Sequence, residues 1–289
     1  MTAVDAPSGR PASIETPRPG DPRLAGLSLN QWTTRNWGVA EAVEGCLRAG
    51  IPAIGLWRQQ VAEYGLTQSA KLVRDASLRV SSLCRGGSLT ALDSSLDDNR
   101  RAIDEAAALG TDCLVMVAGG LPEGSRDLAG ARSRVEDAVQ ELEPYARGAE
   151  VRLALEPLHP MYCADRAVLS TLRQTLDLAS HWPVESVGVV VDTFHVWWDP
   201  EVLAQIARAG ARIASFQVCD LLNPLPADLL LGRGMMGDGV IDFRPLREAV
   251  DATGYTGDIE VEIFNADVWA ADGHEVISTL ARRYITEVL

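Results

Sequence analysis

The sequence predicts one (β/α)8 barrel. Short apolar stretches alternate with longer amphipathic ones eight times after about residue 24. The short stretches are rich in Val, Ile and Leu with little polar alternation, as parallel strands buried on both faces should be. The length of 289 residues suits one large α/β domain of this kind.

The chain opens on a different composition. Pro7, Pro11, Pro17, Pro19 and Pro22 sit among Ser, Thr and Gly, so residues 1–23 are expected to form a disordered tail, and residues 24–289 the barrel. Strands are expected at 27–32, 53–58, 79–84, 112–118, 151–157, 187–192, 211–219 and 258–264. Helices are expected at 38–49, 66–77, 95–109, 128–148, 165–181, 200–209, 244–253 and 274–288. Gly50, Gly110 and Gly254 fall just past helix ends, where a left-handed cap is cheap for glycine. Pro200 is placed at the first turn of the sixth helix, where its missing N–H matters least. A doubly wound open sheet is the alternative, but no GxGxxG follows the first strand. The fourth ends in Ala118-Gly119-Gly120, which is a turn and not a dinucleotide fingerprint.

Composition narrows the function. A net charge of −14 does not match a phosphate backbone, so nucleic acid is not an expected partner. No run of 18 apolar residues indicates a membrane span, and no secretory signal is visible. Cys46, Cys84, Cys113, Cys163 and Cys219 are odd in number and lack CxxC spacing. They read as free thiols in a reducing cytoplasm. Lys71 is the only lysine and falls in a helix, which argues against Schiff-base chemistry.

Barrel active sites lie at the C-terminal ends of the strands. Strand 5 reads LALEPLHP and ends in Glu156 and His159; strand 6 reads VGVVVDTFH and ends in Asp192 and His195. Strand 7 carries Gln217 and Asp220, and strand 8, IEVEIFN, carries Glu260 and Glu262. A carboxylate behind several apolar residues is buried, and burial without a partner is expensive. Glu156, Asp192 and Glu262 therefore need a cation or hydrogen-bond partners. A hard divalent ion such as Mn2+ or Mg2+ suits oxygen donors; ion pairing with Arg58, Arg85 or Arg233 is the purely structural alternative. His195 is open to three roles: metal ligand, donor to a substrate oxygen, or satisfied structural histidine. His159 is similar. Trp32, Trp57, Trp197, Trp198 and Trp269 fall at or just after strand ends. Such faces suit the C–H side of a sugar, or else cap the core or a subunit interface.

The run ALEPLHP, VVDTFH, FQVCD, GRGMMGDGVIDF and VEIF resembles the xylose-isomerase-like TIM barrels, the sugar phosphate isomerases/epimerases. These include ketose 3-epimerases, hydroxypyruvate isomerases and inosose dehydratases. The resemblance spans the chain from about residue 27 and is densest over 151–264. It implies one Mn2+-like ion, with Mg2+ and Co2+ as alternatives, held by Glu156, Asp192, Gln217 and Glu262. Glu156 and Glu262 would be the acid/base pair. His195 and Arg233 would touch substrate. His159, Arg85, Trp57 and Trp32, at other strand ends, are further candidates for contact with it. Two departures stand out. Position 217 is Gln where the epimerases carry His, and Tyr162 stands where they place a further glutamate.

The chemistry so implied is proton abstraction next to the carbonyl of a sugar or other small polyhydroxy compound, giving an isomerase or epimerase in the cytoplasm. The alternatives are a lyase on the same scaffold (a keto-inositol dehydratase or a cleaver of 3-oxo-glycosides, C-glycosides among them) and a non-catalytic sugar-binding protein. The superfamily's endonuclease branch uses a histidine-rich site, which four histidines do not suit. Oligomers are common among such barrels, so a homo-oligomer is compatible with the resemblance.

Overall fold

The computed structural model describes residues 16–289. Eight parallel strands close into a barrel: β1 (Leu27–Asn30), β2 (Ala53–Trp57), β3 (Arg79–Gly87), β4 (Cys113–Val117), β5 (Arg152–Glu156), β6 (Val187–Asp192), β7 (Ile213–Val218) and β8 (Ile259–Val261). Each strand pairs with its neighbour in sequence, and β8 closes on β1 through Leu27 opposite Ile259. Every expected strand is present.

The main helices are α1 (Val39–Ala49), α2 (Arg58–Tyr64), α3 (Leu66–Asp75), α4 (Asp93–Leu109), α5 (Leu128–Gly148), α6 (Leu172–Ala179), α7 (Thr193–Val196), α8 (Val202–Ala209), α9 (Phe243–Ala252), α10 (Ala266–Ala270) and α11 (Gly273–Arg283). Gly50, Gly110 and Gly254 take the expected left-handed conformation after α1, α4 and α9.

Three helix expectations need correction. The helix expected over 165–181 is only α6. The Thr171 hydroxyl caps it by accepting from the Gln174 N–H, and the residues before it are held by other elements. The Val168 N–H donates to the Gly119 carbonyl, and the Leu158 N–H to the Leu169 carbonyl. Residues 158–171 thus fold across the top of the barrel. Pro200 lies in the turn ahead of α8 and not in its first helical turn. Arg58 opens the unexpected short helix α2, and its guanidinium turns away from the barrel to Asp98 and Glu105.

Part of the expected tail, residues 1–15, lies outside the described residues. Within the rest, Pro22–Leu24 forms a single 3-10 turn capped by Asp21, and it buries Leu24.

Two packing layers result. The larger core lies between strands and helices. Inside the barrel, Cys84, Cys113, Val115, Ala154 and Val190 form a compact plug. These side chains are small, so a polar layer fits above them at the C-terminal strand ends. Beyond β7, Asp220–Leu221 pairs antiparallel with Arg233–Gly234. The Asp220 carboxylate accepts from the N–H groups of Gly237, Gly239 and Ile241, which anchors the GRGMMGDG turn. A Cβ on Gly239 would come 2.0 Å from the Leu221 carbonyl oxygen, so only glycine allows this approach. The anchored turn fixes where Arg233 enters the barrel.

Candidate active site

The strand ends converge on a cavity of about 610 Å3. Glu156, His195, Arg233 and Glu262 lie at its floor, with Cys84 and Arg85 to one side. Trp32, Trp57 and Phe264 form an aromatic wall, with the Trp32 and Trp57 rings stacked 4.2 Å apart. Tyr162, Asp165 and Arg166, from the segment crossing the barrel top, face it.

Glu156, Asp192 and Glu262 are all buried, as strands preceded by apolar residues require. They are not equally partnered. The Asp192 carboxylate caps α7 by accepting from the Phe194 N–H at 2.8 Å, and it accepts from Arg233 Nη1 at 2.9 Å. Glu262 accepts from the same Nη1 at 2.9 Å and from the Asn30 amide at 3.1 Å. Glu156 Oε1 lies 4.0 Å from His195 Nε2. Among the described residues Glu156 forms no ion pair with an arginine or lysine, and it faces the cavity.

Of the three arginines considered from sequence as counter-ions, Arg233 fills that role and Arg58 does not. Arg85 is exposed at the cavity edge. Arg233 is 3% exposed and sits over the faces of Phe194 and Phe264. It lines the cavity, yet Nη1 is already engaged by carboxylates, while its Nε has no partner.

Burial dominates the acid strengths. It pushes the Glu262 carboxyl up to about 8, against the pull of Arg233 and with a further push from Asp192. Glu156 is raised well above the ordinary range by burial, then by Glu262 and Asp192. His195 is held well below its ordinary value by burial and by Arg233, so the ring is neutral. Its Nδ1 accepts the His159 backbone N–H at 3.0 Å, which leaves the ring proton on Nε2. That tautomer makes His195 an N–H donor toward the cavity and removes the lone pair a metal would need. Arg233 Nη2 lies 3.0 Å from the same Nε2.

His159 requires a correction as a substrate contact. It does not line the cavity; its ring packs edge-on against Trp198, and its backbone orients His195. Asp192 and Gln217 also lie behind the cavity lining, beneath Arg233 and the strand ends. Trp32 and Trp57 line it as expected. Trp269 supports Trp32 from behind, its indole N–H bonded to the Trp32 carbonyl.

Two residues at the site, Asn30 and Tyr162, were given no role from sequence. Asn30 is the joint between wall and floor. Its oxygen accepts from the Trp57 indole and the Trp32 N–H, and its nitrogen donates to Glu260 and Glu262. The Tyr162 hydroxyl is buried without a partner. Asn30 at a strand end was a readable signal, but its pairing depends on closure of β1 against β8.

A divalent cation fits this donor set. Atoms of Glu156, Asp192 and His195 lie within 4.8 Å of one another, the two carboxylates as oxygen ligands and His195 Nε2 as an N–H beside them. With the His195 lone pair committed, the oxygens of Glu156, Asp192, Glu262 and Gln217 remain, a hard set. The Gln217 Oε1 is buried with no donor. Four buried carboxyl groups, Glu156, Asp192, Glu260 and Glu262, stand near one buried guanidinium that reaches only Asp192 and Glu262, so ionising all four would leave negative charge in excess.

The family model for the xylose isomerase-like TIM barrel matches residues 40–280. The chain belongs to this family. It is similar to protein SMc04130 from Sinorhizobium meliloti 1021, with 49% identity and a TM-score of 0.88 over 92% of this chain and 99% of that one. The IOLI protein, solved with a binding zinc atom, shares 20% identity at a TM-score of 0.80, covering 91% and 98%. D-psicose 3-epimerase from Clostridium cellulolyticum H10, solved with D-tagatose, shares 15% at 0.73, covering 90% and 98%. These last two likenesses concern the fold alone. No curated protein matches the chain.

Proposed function

We propose that this member of the xylose isomerase-like family is a metal-dependent isomerase or epimerase of a small polyhydroxy carbonyl compound. The observation that carries the reading is the pair Glu156 and Glu262. These buried carboxylates stand on β5 and β8 and open on one cavity, and burial raises both toward the range in which a carboxyl can take and return a proton near neutrality.

The chain's residues divide the work. Glu156 and Glu262 take and return the proton next to the substrate carbonyl. Asn30 holds Glu262 in place by its amide N–H. His195 offers its Nε2–H to a substrate oxygen, and the Tyr162 hydroxyl, which has no protein partner, offers a second contact. Trp32, Trp57 and Phe264 pack against the C–H face of a sugar and exclude water. Arg85 lies at the cavity edge within reach of polar substituents. Glu156, Asp192, Gln217 and Glu262 would hold the ion, for which Mn2+ is the proposed identity. Bound there, it would polarise the carbonyl and stabilise the charge that develops on its oxygen. The free thiols Cys46, Cys84, Cys113, Cys163 and Cys219 are consistent with a cytoplasmic enzyme. Among the described residues no helix is long and apolar enough to cross a membrane.

A lyase acting on 3-oxo-glycosides is the second reading. It is favoured by a cavity with room beside a monosaccharide and by an aromatic wall able to take an apolar aglycone.

Incubation in deuterium oxide with Mn2+ and a panel of ketoses and 3-oxo-glycosides tests both. Deuterium entering beside the carbonyl, with no double bond formed and no aglycone released, is the expected result. Elimination or aglycone release selects the lyase. No exchange with any substrate overturns the proton-transfer reading.

A further inference from the structure

Beneath the site lies a second carboxylate layer that the proposed reaction does not use. Glu260 is fully buried two residues before Glu262 on the same barrel face. Among the described residues no cation reaches it. Its oxygens accept from Ser81 at 2.6 Å, from Ser82 at 2.8 and 3.0 Å, and from Asn30 at 2.6 Å. Ser28 supports Ser81 at 2.7 Å. Gly55 on β2 leaves the space, since a Cβ there would come 2.5 Å from the Glu260 carboxyl carbon. The sequence thus supplies three serines, an asparagine and a glycine to seat one buried carboxylate, an unusual outlay for a residue with no structural counter-charge.

The remaining partner of Glu260 suggests its use. Gln217 stands in register between Asp192 on β6 and Glu260 on β8. Its Nε2 lies 3.2 Å from Glu260 Oε1. Asn30, Ser81 and Ser82 all donate to the Glu260 oxygens, so Glu260 is the acceptor here and the amide nitrogen is the Gln217 atom that faces it. The Gln217 oxygen is left buried with no donor at all.

We infer that Glu260 is a positioning residue: it holds the Gln217 amide by its nitrogen so that the carbonyl oxygen is presented to the cation site. An amide presents a donor or an acceptor according to its flip. The Glu260 cradle removes that ambiguity and lets Gln act as an oxygen ligand at position 217. The inference rests on the cation reading of the site.

Titration of the metal-free full chain with Co2+ alone, followed by calorimetry and by the visible absorption of the bound ion, tests it. Wild type is expected to bind one Co2+. Glu260→Gln, which no longer forces the flip, should bind about 10- to 100-fold more weakly, the usual effect of removing a partner that orients a ligand, and the absorption band should change. Glu260→Asp, which keeps the charge but draws it back from Gln217, should weaken binding in the same direction and covers the case in which Glu260→Gln fails to fold. In a Gln217→Met background, Glu260→Gln should add no further loss. Wild-type affinity in both Glu260 variants overturns the positioning role. So does an equal loss from Glu260→Gln with and without Gln217, which marks a general packing effect. If wild type itself binds no Co2+, the cation reading falls and the positioning role with it.

Discussion

Glu262→Gln is expected to leave a folded protein that exchanges the substrate proton about 10^2- to 10^4-fold more slowly, the usual contribution of a positioned acid/base group. The substitution keeps the shape and one acceptor oxygen. Asn30 and Arg233 both donate to Glu262, so one of them faces an amide nitrogen in the variant. Stability and exchange should separate: the circular dichroism spectrum and melting curve stay close to wild type while deuterium incorporation falls. Unchanged incorporation would remove Glu262 from the acid/base pair.

Arg233→Met is expected to have the largest effect on stability. The guanidinium Nη1 is the shared donor to Asp192 and Glu262, both buried, and it also reaches the Glu262 carbonyl at 3.2 Å. Methionine keeps an apolar stem between Phe194 and Phe264 but leaves two buried carboxylates without their cation. Breaking a buried pair from one side costs about 3–5 kcal/mol. For a domain of this size that corresponds to a fall in Tm on the order of 10 °C. A divalent ion should restore more of the Tm in Arg233→Met than it adds to wild type, because it takes over the missing compensation. A variant melting within a degree or two of wild type would show that Arg233 is not the counter-ion of the site.

Much of the barrel was legible because its physics is local. Strands buried on both faces are continuous apolar runs, and all eight stood out. Helix ends marked by Gly50 and Gly110 were legible for the same reason. The segment 165–171 was not, because its helix-like composition is overridden by backbone bonds to other elements, from Val168 to Gly119 and from Leu158 to Leu169. At the site, Glu156, Asp192 and Glu262 were readable from a single fact, a carboxylate at the end of an apolar strand. Their unequal partnering was not readable. Arg233 reaches them from a turn held by Asp220, 41 residues from Asp192 in sequence. His159 illustrates the reverse: a histidine at a strand end looked like a substrate contact, yet its ring turns to Trp198 and its backbone does the orienting. The Glu260 cradle could not be read from sequence at all, since Ser28, Ser81, Ser82, Asn30 and Gly55 meet only when β1, β2, β3 and β8 close.

The most direct measurement is a titration of chelator-treated protein with Mn2+, by calorimetry and by melting temperature. One ion per chain is the predicted result. At a hundredfold excess over Kd it should stabilise the fold by about 2.7 kcal/mol, a rise of roughly 5–10 °C, and the effect should shrink sharply in Glu156→Gln. No heat of binding and no change in Tm, with Mn2+ or with Zn2+, would contradict it. Arg233 alone would then balance the carboxylates of this barrel.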